Sequence, residues 1–334
     1  LNNISAPWAL NKRILIIRLS ALGDVAMTLP VIYSLAEQYP QLQITVLTRP
    51  FFKRIFLNAP SNVEVRTTTA KSVGEVVGLA RRLSREGFDA VADFHDVLRS
   101  RVMRMVFRLR GLKVATIDKQ RRRRRQLTDK KTREFQMSYI SRYADVLRRL
   151  GLPLASLTFK SLLPESERRG VGIAPFARYA TKTYPAELMQ QVVRRLTDAG
   201  HQVYLFGSRG HEAGMLEQWR EANPALTVVA GTMTIEEELA AMSRLQVMLA
   251  MDSANMHLAS LVATPVVSVW GSTIPQCGFM GYGQSVDNAV WLDLPCQPCS
   301  VAGLERCPKS TLECLSALSP ERVAERVLAL LTRE

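Results

Sequence analysis

Short, unbroken apolar runs alternate along this chain with stretches whose apolar positions recur every three to four residues. A short run without polar alternation predicts a strand buried on both faces, and the three-to-four spacing predicts an amphipathic helix. Arg13–Arg18 (RILIIR) is the first such strand. A turn follows at Ser20–Ala21–Leu22–Gly23–Asp24, then a helix from about Val25 to Gln38. Gln43–Leu47, Val63–Arg66, Ala90–Phe94 and Lys113–Ile117 read as further strands, with helices over Lys71–Arg85 and Val97–Arg108. Periodicity lapses over residues 151–170, which carry two prolines, and then restarts. Strands at Gly170–Ala174, Gln202–Phe206, Thr227–Val229, Gln246–Met251 and Pro265–Trp270 alternate with helices at Pro185–Ala199, His211–Glu221, Ile235–Ser243 and Ser253–Val262. Residues 271–318 read mostly as loop, and Ser319–Pro320 starts a last helix as cap and first helical residue.

This alternation predicts an α/β protein with two Rossmann-like parallel-sheet domains facing a central cleft. The expected division is residues 1–158, residues 159–318 and a C-terminal helix over 319–334. The halves share only a general rhythm of strand and helix, with no repeat of 20–50 residues. In such sheets ligands bind beyond the carboxyl ends of the strands, so the strand-end loops are where chemistry is sought.

Composition narrows the class. With 334 residues, 47% apolar and 22% charged, the chain is neither a disordered tail, a collagen-like fibre nor a small disulfide scaffold. No apolar run approaches the roughly 18 residues that span a bilayer. The opening LNNISAPWALNKRILIIRLS has only a short apolar stretch, broken by Arg18, and is expected to be neither signal peptide nor anchor. The net charge is +14, and residues 1–150 hold 29 Lys/Arg against 12 Asp/Glu, whereas residues 151–334 hold 15 against 18. The first half is therefore expected to meet an anionic partner. The five cysteines are Cys277, Cys296, Cys299, Cys307 and Cys314. An odd number without a secretion signal suggests a reducing compartment, hence the cytoplasm.

Several strand-end segments carry candidate chemistry. Asp24 can point its carboxylate into the cleft as a general base, or simply cap the following helix. Met251–Asp252–Ser253–Ala254–Asn255–Met256–His257 passes from strand to helix, where free backbone N–H groups and the helix dipole favour an anion. It reads equally as an ordinary capped helix with a packed histidine. Lys182, in Thr181–Lys182–Thr183–Tyr184–Pro185, can neutralise a leaving diphosphate or stand as a solvated surface group. Glu212 follows Gly207–Ser208–Arg209–Gly210–His211 and can bind ribose hydroxyls or only favour a first helical turn. That segment has neither dinucleotide-fold nor P-loop glycine spacing. Residues 99–133 hold 15 Lys/Arg and two acids, including Arg99 and the run Arg121, Arg122, Arg123, Arg124 and Arg125. Such arginines suit phosphates and carboxylates, and the alternatives are a solvated disordered loop or nucleic-acid binding. Without interleaved aromatics or helix-turn-helix spacing, a membrane surface or acidic glycolipid is the better expectation. Cys296-x2-Cys299-x7-Cys307-x6-Cys314 has enough sulfurs for a metal, yet only the first pair is spaced as a metal knuckle, so reduced cysteines in a packed loop fit as well.

Three blocks, in order, resemble the bacterial ADP-heptose:lipopolysaccharide heptosyltransferase family, which has the two-domain GT-B fold. RILIIRLSALGDVAMTLPVIYSLAEQYPQLQITVLTRP (13–50) is similar to the family's opening, APFARYATKTYP (174–185) to its lysine loop, and MDSANMHLASLVATPVVSVWGST (251–273) to its diphosphate-binding block. The late cysteine run also recurs in the family. The resemblance implies that Asp24 is the base, and that Lys182, Thr181 and the helix start of Asp252, Ser253, Ala254, Asn255 and His257 hold the nucleotide diphosphate. It implies that Glu212 and the loop of Gly231 and Met233 lie near the nucleoside. Relatives often carry glycine where Ala254 and Asn255 stand here, and other polar pairs where His95–Asp96 stand, so the sugar pocket is expected to differ. The expected activity is inverting transfer of a sugar from a nucleotide donor such as ADP-heptose to an acidic lipid A–Kdo type acceptor, bound by Arg99 and Arg121–Arg125. The protein would lie peripherally at the inner face of the cytoplasmic membrane. No Asp-x-Asp pair is evident, so neither metal nor cofactor is expected. The alternatives are transfer of another nucleotide-linked sugar, a nucleotide-sugar epimerase on the same fold, or a non-catalytic binder of membrane or nucleic acid.

Overall fold

The structure is a computed structural model in which residues 11–332 are described. The expectation about the opening segment rests partly on residues 1–10, outside that range. Two compact units divide the chain. The first runs through Lys119 and adds Tyr139–Lys160, and the second comprises Gln120–Ser138 and the chain from Ser161 onward.

In the first unit, five strands form an all-parallel sheet: β1 (Arg13–Ile17), β2 (Gln43–Thr48), β3 (Val63–Thr67), β4 (Ala90–Asp93) and β5 (Lys113–Thr116). Their order is β3-β2-β1-β4-β5. β1 is central and apolar on both faces, with Ile14 to Ile17 fully buried, as a strand covered on both sides must be. Leu15 and Ile17 pack with Val76, Leu83, Met103 and Phe107 from the covering helices. The helix expected over Val25–Gln38 is two helices, Leu22–Ala26 and Leu29–Gln38. The Thr28 hydroxyl donates to the Val25 carbonyl, and Pro30, lacking an N–H, sits in the first turn of the second helix rather than inside a longer one. A helix at Tyr139–Arg149 returns to this unit, stacking Tyr143 on Phe94 with ring centroids 4.7 Å apart.

The second unit has six parallel strands: β6 (Val171–Ala174), β7 (Val203–Leu205), β8 (Leu226–Val228), β9 (Val247–Met251), β10 (Val266–Val269) and β11 (Ala289–Val290). Their order is β11-β10-β9-β6-β7-β8. Counted from each unit's own first strand, both sheets run 3-2-1-4-5, with one strand added in the second. The halves therefore share a wiring as well as a rhythm, which hydropathy spacing does not reveal.

The arginine run also departs from expectation. Arg121–Thr128 is a helix, and its segment packs on the second unit. Leu127 is fully buried with Ile274 and Cys277. The Gln136 N–H donates to the Gln276 carbonyl (2.9 Å), Lys130 reaches the Pro298 carbonyl, and Arg133 pairs with Asp293 at 3.2 Å. The cationic excess is thereby redistributed: the first unit holds 22 Lys/Arg against 10 Asp/Glu, the second 22 against 20. None of the described helices is long and apolar enough to cross a membrane.

Candidate active site

In each unit the chain passes to the other side of its first strand when it lays down its fourth. Crevices at that reversal, beyond the carboxyl ends of the strands, are where open α/β sheets bind ligands. In the first unit the loops at this point follow β1 and β4; in the second they follow β6 and β9.

Asp24 lies in the loop and first turn after β1. The nearly buried Arg18, at the end of the same strand, reaches Asp24 Oδ2 at 2.6 Å and donates to the Phe94 carbonyl at 2.7 Å. The Ala21 N–H also approaches Oδ2, at 3.3 Å. Both partners fall on one oxygen. Oδ1 has no partner among the described residues, and about a quarter of the side chain (28%) is exposed. The carboxylate therefore caps its short helix and still presents an oxygen able to accept a proton.

His95, after β4, shares this corner. It is buried, its Nε2 lies 3.4 Å from Ser20 Oγ, and its Nδ1 has no hydrogen-bond partner. Burial, with the charges of Arg18 and Lys119, pushes its pKa down to about 3, so the ring is neutral near pH 7. Tyr143 brings its hydroxyl 3.5 Å from the Asp24 carbonyl. No motif marks Tyr143, although Tyr139, Ile140, Tyr143, Val146 and Leu147 have helical spacing.

In the second unit, Lys182 and Asp252 meet across the reversal, Lys182 Nζ lying 2.8 Å from Asp252 Oδ2 with both side chains largely buried. The Thr273 hydroxyl donates to the same oxygen at 2.6 Å. Helix Ala254–Leu261 begins immediately after Ser253, whose side chain makes no cap and whose hydroxyl has no partner. Ser253, Ala254 and Asn255 are half-exposed, while His257 is buried. An uncapped, accessible helix start beside a lysine is suited to a polyanion.

Thr181 precedes Lys182 in the same loop. It is buried, and its hydroxyl donates to the Leu304 carbonyl (2.7 Å) and accepts from Ser272 Oγ (2.9 Å) and the Leu304 N–H (2.9 Å). It ties the lysine loop to the late cysteine-bearing loop. Gly303 of that loop, at φ +104°, packs so closely that a Cβ there would lie 2.7 Å from Lys182 Cδ. The cysteine loop is thus a buttress behind Lys182. All five cysteines are free thiols, and among the described residues no group of three or more His, Cys, Asp or Glu is arranged for a metal ion. Burial pushes Cys277 and Cys314 up to about 12.

Glu212 also spends a carboxylate oxygen internally, accepting from the Ser208 N–H at 2.6 Å. Gly231, at φ +70°, packs against Arg209, so the loop after β8 that carries Gly231 and Met233 lies beside the β7 loop that leads into the helix bearing Glu212 in its first turn. Arg209 is a cation the sequence reading passed over. Arg121, Arg122, Arg123 and Arg125 are exposed and Arg124 half-buried on the second unit. Arg99 belongs to the first, where it donates to the Lys71 carbonyl, so the expected acceptor-binding arginines are divided between the units.

Comparison with known proteins fits these features. The family model for glycosyltransferase family 9 (heptosyltransferase) matches residues 76–306. Lipooligosaccharide heptosyltransferase 2 of Campylobacter jejuni is 21% identical over 319 residues, covering 93% of this chain and 96% of that protein. Among solved structures, Escherichia coli ADP-heptose lps heptosyltransferase II has a TM-score of 0.70 at 20% identity, over 96% of this chain and 98% of that one. A family 9 glycosyl transferase from Veillonella parvula has a TM-score of 0.74 at 19% identity, over 97% and 98%. These structures share the GT-B architecture of two Rossmann-like sheets seen here. With more than two thirds of its length matched by the family model, the chain is a glycosyltransferase and belongs to glycosyltransferase family 9 (heptosyltransferase).

Proposed function

We propose that the enzyme transfers heptose from ADP-heptose to the inner core of lipopolysaccharide, inverting the anomeric carbon, as a peripheral protein of the cytoplasmic face of the inner membrane. The reading rests above all on the Lys182–Asp252 pair beside the uncapped start of helix Ala254–Leu261, a preformed seat for a nucleotide diphosphate. The names of its relatives, among them an ADP-heptose lps heptosyltransferase, supply the sugar and the acceptor class.

In this mechanism Asp24 Oδ1 takes the proton of an acceptor hydroxyl as its oxygen attacks the anomeric carbon from the face opposite the nucleotide. The bond to the diphosphate breaks, and its electron pair stays on the departing ADP. Lys182 and the N–H groups at the start of helix Ala254–Leu261 stabilise that charge as it grows. Glu212, Gly231 and Met233 border the nucleoside. Arg121–Arg125 and Arg99 bind phosphates and acidic sugars of a lipid A–Kdo type acceptor, and nucleic acid has no part.

The test is ADP release from ADP-heptose with a Kdo-containing lipid A acceptor. Release should depend on acceptor. Asp24→Asn should lower kcat by about 10²–10⁴-fold while ADP binding persists. Lys182→Met should lower kcat by about 10²–10³-fold and weaken ADP binding. Native turnover by Asp24→Asn would remove the base assignment, and failure to bind ADP-heptose would remove the donor.

A further inference from the structure

Helix Leu98–Leu109 has two apolar faces. At about 100° per residue, Ser100, Met103 and Phe107 point together and are buried. Leu98, Met105 and Leu109 fall within roughly 40° of one another on the opposite side, where they are 72%, 65% and 86% exposed. They form a stripe about 16 Å long. Val73, 62% exposed, starts the neighbouring helix Val73–Leu83, and the Arg99 bond to the Lys71 carbonyl brings the two helix starts together. The stripe is thereby broadened at one end.

The rim is cationic. Between Val97 and Ile117 there are five arginines, one lysine and no acidic residue. Arg104 turns inward to Asp93 (2.7 Å) and Asp96, and Arg101 shares Asp96. Arg99, Arg108 and Arg110 have no carboxylate partner among the described residues. A water-soluble anion would use these arginines but not the stripe. A second copy docking through the same face would set arginines against arginines. A bilayer with anionic headgroups uses both, the apolar side chains entering the acyl boundary and the guanidinium groups holding lipid phosphates.

We propose that the outward face of helix Leu98–Leu109 docks on an anionic phospholipid bilayer. This deepens the functional reading, whose acceptor is lipid-borne, but the docking itself is measured without turnover. The full chain is sedimented with vesicles of phosphatidylethanolamine and phosphatidylglycerol, and with vesicles of phosphatidylcholine. Two variants are compared, Leu98→Ser/Met105→Ser/Leu109→Ser and Arg108→Gln/Arg110→Gln, with their melting temperatures checked against the native protein. Because the replaced side chains are exposed, both should fold. The serine variant should lose at least about tenfold in partition onto anionic vesicles. The glutamine variant should lose several-fold there and nothing on phosphatidylcholine. Transfer to an acceptor lacking acyl chains should be unchanged in the serine variant. Absence of transfer by every variant, native included, would strike the functional reading and leave the vesicle result standing. Equal partition by native and serine variants overturns the docking proposal. So does a native dimer, seen by sedimentation equilibrium, that the serine variant abolishes, since a second copy would then cover the stripe.

Discussion

His95 is a titratable ring placed where it cannot easily take a proton. Its pKa of about 3 lies below that of an exposed histidine because burial and the nearby charges of Arg18 and Lys119 oppose the imidazolium form. Folding therefore releases a proton wherever the unfolded ring is charged, below about pH 6.5. The contribution to stability is complete above that pH and is lost as pH falls toward 3, by about 1.4 kcal/mol per unit at most. Between pH 7 and pH 5 the native protein should lose up to about 2 kcal/mol more than His95→Gln, measured by urea unfolding; parallel losses would show that the ring titrates normally. The same corner shows what single positions disclose. The position of Asp24, after a glycine at the end of a buried strand, suits a base or a helix cap alike, and only the family resemblance favours the base. That Arg18 holds one of its oxygens was not legible, because an arginine ending an apolar run reads as the strand's solvated end. Thr181 shows the same limit: motif position puts it beside Lys182, but that its hydroxyl is held by Ser272 and Leu304, more than 90 residues along the chain, cannot be read from it.

At the scale of elements, most strands and helices followed from hydropathy, since a strand covered on both faces leaves a strong signal. Helix Tyr139–Arg149 was missed although its apolar positions are helically spaced, because the basic run before it dominates the segment. Helix Arg121–Thr128 shows the reverse difficulty. Charge said what it could bind, but only one apolar residue, Leu127, says where it rests. Leu127→Ala should cost about 2 kcal/mol or more of local stability and raise the rate of tryptic cleavage within residues 120–138, with cleavage elsewhere unchanged. Unchanged cleavage there would mean that the polar contacts of Gln136, Lys130 and Arg133 suffice to hold the segment.

For the whole molecule, the strand order could not be read from the sequence, because right-handed crossovers leave open which side of the first strand each new strand joins. The cationic excess, by contrast, was legible as a quantity but not as a location. Replacing Arg121–Arg125 by glutamine should raise the KM for a lipid A–Kdo type acceptor in low salt, by an amount that shrinks as salt rises, and leave ADP binding intact. An acceptor KM indifferent to these residues at every ionic strength would assign the run elsewhere. The excursion of Gln120–Ser138 has a practical consequence for anyone dissecting the enzyme. The polypeptide passes between its units three times, near residues 119, 138 and 160, so a single cut releases neither intact. A fragment beginning at Ser161 would leave bare the seat of Leu127 on Ile274 and Cys277 and the backbone partner of Gln136. To be soluble alone, that half would need residues 120–138 returned as a graft, and the other half would need Lys119 rejoined to Tyr139.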